Sequence, residues 1–223
     1  MCSYEAVSLE HVPPSCIFPE LRDLPPGVDY RKNLITVPSC VEHNLIKSGD
    51  DEYLLFILVS NWDVNKVGLS QWKTKILRSM RRRPSKVGIY QNPRPVLIKG
   101  IETGVFDIDF NRISGEVEKI SRGIYYHHFQ KHWLYPIDVF LPAAIAIGTP
   151  ESNNHNKIVR EKIIKIIKLL ETEKVFGENP DVFYYQYKSD EDLPNYILRM
   201  VFYGGIEIAT ISNQVYCATS NTA

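Results

Sequence analysis

Hydrophobic and polar positions divide the chain into a proline-broken first quarter and a longer remainder of periodic segments. Residues 6–9 form a short strand candidate that leads into Glu10-His11. Pro13, Pro14, Pro19, Pro25 and Pro26 then interrupt regular backbone hydrogen bonding and predict a loop. Residues 34–37, apolar and β-branched, predict a second strand stopped by Pro38. After Cys40 the pattern turns helical: Tyr53, Leu54, Phe56, Ile57 and Leu58 crowd together, and Ser48 or Asp50 supplies a cap. The local order is strand, loop, strand, helix.

The remainder alternates helix and strand signals. Residues 69–83 predict an amphipathic helix with Trp72, Ile76, Leu77 and Met80 on one face and basic residues on the other, ended by Pro84. Residues 87–90 and 96–99 predict short strands. Ile113, Val117, Ile120 and Ile124 at helical spacing predict a helix over 111–133, and Ile163, Ile166, Ile167 and Leu170 another over 156–174. Residues 182–188 and 197–211 predict a terminal antiparallel pair or meander that turns at Gly204-Gly205. The tail, 219–223, is expected to fray. The fold class expected is α+β, with a small module over 1–60 and an accessory helical and antiparallel-sheet region over 61–223.

Composition adds constraints. The chain is 44% hydrophobic and 23% charged with a formal net charge of +0, ordinary for a globular protein. Zero net charge removes any broad attraction to nucleic acid, so phosphate contacts must come from local clusters. The clearest cluster is Lys73, Lys75, Arg78, Arg81, Arg82, Arg83 and Lys86, and within it Arg81, Arg82 and Arg83 are the candidates for backbone contact. The cysteines, Cys2, Cys16, Cys40 and Cys217, are irregularly spaced, which fits a reducing cytoplasm better than a disulfide framework. The polar N-terminus shows no signal peptide, and the apolar stretch at 139–147 is short and holds Pro142, so no membrane association is expected.

The chemistry-bearing residues concentrate early. Glu10 offers a hard oxygen suited to Mg²⁺ or Mn²⁺. His11 is adjacent on a strand, so its side chain emerges on the opposite face, and imidazole as a class exchanges its proton near neutral pH. Asn33 carries an amide able to tie a loop or orient a base. Asn44 offers a carbonyl oxygen as a second ligand, and Lys47, three residues on, shares its helix face and can touch a phosphate. Such a set can hold one metal ion beside one general base, which phosphodiester hydrolysis requires.

Glu10-His11-Val12-Pro13, Asn33-Leu34 and Cys40-Val41-Glu42-His43-Asn44-Leu45-Ile46-Lys47 together resemble the HNH nuclease family, with its ββα-metal active site. Asn44-x-x-Lys47 looks like the HNH domain of CRISPR effector nucleases. The resemblance covers residues 2–58; beyond them the chain has the general look of accessory regions in bacterial stand-alone HNH proteins, many encoded beside defence genes. It implies a metal-dependent endonuclease acting on DNA rather than RNA: His11 as general base, Glu10 and Asn44 as ligands to Mg²⁺ or Mn²⁺, Asn33 supporting the base, and Lys47 at the phosphate. Many members also bind a structural zinc through two Cys-x-x-Cys knuckles. Here the second knuckle reads Cys40-x-x-His43 and the first is reduced to Cys2, leaving Cys2, Cys40 and His43 as candidate zinc ligands, with Cys16 a poor fourth. The rival expectations are a catalytically inactive HNH-fold binding subunit, and a toxin or defence component that needs a protein partner.

One further motif competes for metal. His128 and His132 stand at i, i+4, but Phe129 occupies the place where a metalloprotease helix carries glutamate. The expected reading is a polar and aromatic helix end packed against the N-terminal module. The tyrosine-rich segment 183–187 is expected to be a strand facing a core.

Overall fold

A computed structural model describes residues 6–40, 48–82, 93–98, 100–144, 150–190 and 195–213. Strand β1 (Ser8–Val12) pairs antiparallel with β2 (Ile35–Ser39), placing Glu10 opposite Val37, His11 opposite Thr36 and Val12 opposite Ile35. Two 3₁₀ turns, Ser15–Ile17 and Leu21–Asp23, order the loop between them. β2 runs through Pro38 instead of stopping there. In a two-stranded ribbon each strand keeps one unpaired edge, and on that edge a missing N–H costs no ladder bond.

Helix α1 (Ser48–Val59) buries Tyr53, Leu54, Leu55, Phe56, Leu58 and Val59. A helix apolar around most of its circumference belongs inside the protein, and α1 is its central element. Next come α2 (Lys66–Gln71), a π turn (Trp72–Ile76) and α3 (Leu77–Arg82). α2 starts three residues before the predicted helix because the Asn65 side chain accepts from the Val67 and Gly68 amides, a cap the apolar pattern does not register. A hairpin of β3 (Arg94–Ile98) and β4 (Ile101–Val105) follows, and β4 was not expected. The strand expected at 87–90 lies outside the described residues.

α4 (Phe110–Phe129) is capped by Asp109 and ends at Gln130 in the left-handed region; α5 (Pro150–Leu170) begins before its apolar stripe does. The C-terminal part is a five-stranded antiparallel sheet of β5 (Asp138–Phe140), β6 (Phe176–Asn179), β7 (Phe183–Asp190), β8 (Asn195–Phe202) and β9 (Ile206–Asn213), in the order β5-β9-β8-β7-β6. β7, β8 and β9 carry the β-branched and aromatic pattern that predicts a meander. β5 and β6, with three and four residues, are too short to leave a periodic signal. The protein is therefore mixed α and β with antiparallel sheets.

Alternation along β8 and β9 gives the sheet two apolar faces. Tyr196, Leu198, Met200 and Ile208 join α1 and α4 in the main core, while Ala209, Ile197 and Ile211 meet Ile163, Ile166 and Leu170 of α5. Tyr185 of the tyrosine-rich segment is 2% exposed, a core position. The main core also takes in Val12, Ile17 and Phe18, so it is continuous from the first strand to the last sheet. Among the described residues no helix is long and apolar enough to cross a membrane.

Candidate functional site

The β1–β2 ribbon positions the acid-imidazole pair. Glu10 shares its strand face with Ser8 and Val12, and Val12 packs on α4 at Gly123, where an added Cβ would stand 2.7 Å from Val12 Cγ2. Glycine at 123 is what lets helix and ribbon approach so closely. Glu10 is thus half-buried on the inward face, while His11 is exposed on the outward face beside Thr36. A partly desolvated carboxylate and a solvent-open imidazole stand back to back on one strand. Asn33 is exposed and left-handed (φ 52°) just before β2, a conformation that asparagine tolerates better than most side chains.

Cys40 is buried at the end of β2. Cys2, His43, Asn44, Lys47 and Arg83 lie outside the described residues, as do Lys86 and Cys217. The structure therefore places Glu10, His11 and Asn33 on one ribbon and its loop, with Glu10 and His11 on opposite faces. Among the described residues no three His, Cys, Asp or Glu side chains converge as a metal cluster. Of the two candidate ligands for a divalent cation, Glu10 stands on the ribbon with a hard carboxylate oxygen, and Asn44 lies outside the described residues. Cys16 does not suit zinc. Burial pushes its thiol up to about 12, with Asp51 adding to the rise, and its Sγ donates to the Asp51 carbonyl at 3.4 Å. Zinc binds thiolate, whereas burial and the bond to the Asp51 carbonyl both favour the thiol form at Cys16.

The basic cluster divides into two groups that sequence alone does not separate. Lys75 donates to the Cys16 carbonyl at 2.8 Å, and Arg78 makes a bidentate pair with Asp23, both bonds 2.8 Å. That pair holds the Asp23 carboxyl below its usual range, chiefly through the hydrogen bonds from Arg78. Lys75 fastens the proline loop to the π turn and Arg78 fastens it to α3. Lys73, Arg81 and Arg82 remain exposed on the same helical run and are open to a phosphate backbone. Helical phase does not separate the groups, because Arg82 stands four residues after Arg78 on the same face; the difference lies in the loop partners, the Cys16 carbonyl and Asp23.

The His128/His132 pair does not converge. His128 Nε2 is 2.9 Å from the Tyr185 hydroxyl, and its ring packs against Phe176 and Tyr187, with centroids 4.8 Å and 4.4 Å away. Burial lowers its pKa to about 4, and His127 and Lys174 add to the effect. His132 stacks instead on Tyr126 at 5.2 Å. This helix end packs against β6 and β7 of the C-terminal sheet and not, as the sequence suggests, against the N-terminal module. The reason is aromatic complementarity with residues more than forty positions downstream. Comparisons with protein-family models, with curated proteins and with solved structures give no match.

Proposed function

We propose that this chain is a metal-dependent endonuclease of the HNH type that hydrolyses phosphodiester bonds of DNA. In this reading residues 1–60 carry the chemistry and 61–223 support it. The observation that carries the reading is Glu10 and His11 back to back on β1, paired with β2 and followed by α1, with Asn33 in a left-handed turn at the head of β2. The Cys16 thiol, which forms no disulfide, suits a protein working in the cytoplasm.

His11, on the open face of the ribbon, takes a proton from the water that attacks phosphorus. The new P–O bond forms as the bond to the 3′ oxygen breaks, and that oxygen takes a proton from solvent water, leaving a 5′ phosphate and a 3′ hydroxyl. Glu10 and Asn44 would hold the divalent cation, which when bound supplies charge stabilisation at the phosphate and the departing oxygen. Asn33 orients the loop beside His11. Lys47 adds charge at the phosphate, while Arg81 and Arg82 contact the backbone further along the strand.

A plasmid-nicking assay with Mg²⁺, Mn²⁺ and EDTA tests the reading. Wild type should nick with either metal and not with EDTA, and His11→Ala and Asn44→Ala should both lose nicking. Equal nicking by all three proteins identifies a contaminant and removes the enzyme claim. Retained DNA binding with no nicking by wild type would point to an inactive binding subunit.

A further inference from the structure

Residues 13–34, between β1 and β2, are long for a connection and have no ladder of their own. The C-terminal sheet grips them at both ends. Near the start, the buried Tyr203 hydroxyl in the β8–β9 turn donates to the Ile17 carbonyl, and buried Gln71 of α2 donates to the same oxygen at 2.9 Å. Near the end, Asn179 at the β6–β7 turn donates from Nδ2 to the Lys32 carbonyl at 3.0 Å.

The two turns act as one body. Tyr203 N donates to the Val182 carbonyl at 2.9 Å. Asn65 bridges them, its backbone N donating to the Tyr203 carbonyl at 2.9 Å and its Nδ2 to the Asp181 carbonyl at 2.7 Å. Gly205 completes the seat, because a Cβ there would overlap the Asp63 carbonyl.

We infer that Asn179 and Tyr203 are positioning residues for the site on the β1–β2 ribbon, and this inference rests on the nuclease reading above. The peptide group is planar, so fixing the Lys32 carbonyl fixes the plane from which the left-handed φ of Asn33 is measured. Fixing the Ile17 carbonyl holds the loop that leaves β1 directly after His11 and Val12. The sheet thus sets where Asn33 stands relative to His11 by way of the Lys32 and Ile17 carbonyls. Catalytic geometry is sensitive to such placement, since a shift of about 1 Å can cost on the order of a hundredfold in rate.

The test uses the full chain with Asn179→Asp and Tyr203→Phe, each of which removes one donor at nearly constant size. Amide hydrogen exchange is read first. Tyr203→Phe should speed exchange at 15–18 about fivefold, and Asn179→Asp should do the same at 32–34. Nicking kinetics are read second: kcat should fall about tenfold with KM for DNA within about twofold of wild type. Unchanged exchange in both variants overturns the clamp whether or not wild type cuts DNA. Faster exchange with unchanged kcat overturns the positioning role. Wild type that cuts no DNA overturns the nuclease reading and the catalytic part of this inference, while exchange still decides the clamp.

Discussion

The β1–β2 ribbon with its loop and the five-stranded C-terminal sheet are held by different means. The sheet holds itself: β7, β8 and β9 pair over eight residues each, and Leu198, Met200 and Ile208 have no exposed surface. The loop is held largely from outside, by Lys75, Gln71, Asn179 and Tyr203 donating to its carbonyls. The candidate chemistry sits on the region that cannot order itself. The central strand of the sheet, β8, is paired on both sides along its length, which leaves it little freedom to present polar side chains to a substrate. A loop positioned by a rigid neighbour can present them.

The sharpest way to break this comparison is to separate function from stability. His11→Ala should cut nicking by at least about a hundredfold. His11 is exposed, so its melting temperature should match wild type; a fall in both would make His11 a structural residue. In the sheet the opposite is expected. Leu198→Ala should cost about 2–5 kcal/mol in urea unfolding, because it opens a cavity in the shared core. Gly123→Val probes the junction between the two regions. Crowding Val12 off α4 should cost about 1–3 kcal/mol and lower nicking as well.

A smaller effect comes from acid. The His128 side chain titrates near 4 in the folded protein against 6.5 when free. The unfolded chain therefore binds a proton that the folded chain refuses between those values. Stability from the neutral ring is complete above about pH 6.5 and is lost as pH falls toward 4. The drop in melting temperature between pH 7 and pH 4.5 should be smaller in His128→Phe than in wild type, and an equal drop would show that the ring is not the titrating group. The least effect is expected at Arg78→Ala. Arg78 is 28% exposed and its Asp23 partner 8%, so about 1–2 kcal/mol should be lost, and salt should reduce that loss.

Much of the fold is legible in the residues. α1 and α4 follow from dense or periodic apolar positions, and the β8–β9 hairpin from β-branched runs about Gly204-Gly205. The opposite facing of Glu10 and His11 follows from strand geometry alone. What is not legible depends on partners. β2 continues through Pro38 because β1 pairs along it on both sides of the proline. β5 and β6 are strands because β9 and β7 offer them edges. His128 is a packed, neutral ring because Phe176, Tyr185 and Tyr187 surround it.

The sequence by itself determined where the apolar segments lie, how their periods assign helix or strand, and that an acid-imidazole pair, an amide and a basic run occur in this order. Only the tertiary structure decided which cations are consumed, with Lys75 and Arg78 tied to the loop and Arg81 and Arg82 left open. It also decided that Asn179 and Tyr203, far along the chain, hold the turn of Asn33 and the loop after His11. Local period is a property of neighbours in sequence. Which carbonyl a distant donor satisfies is set by packing, and a single chain read in order carries no direct record of it.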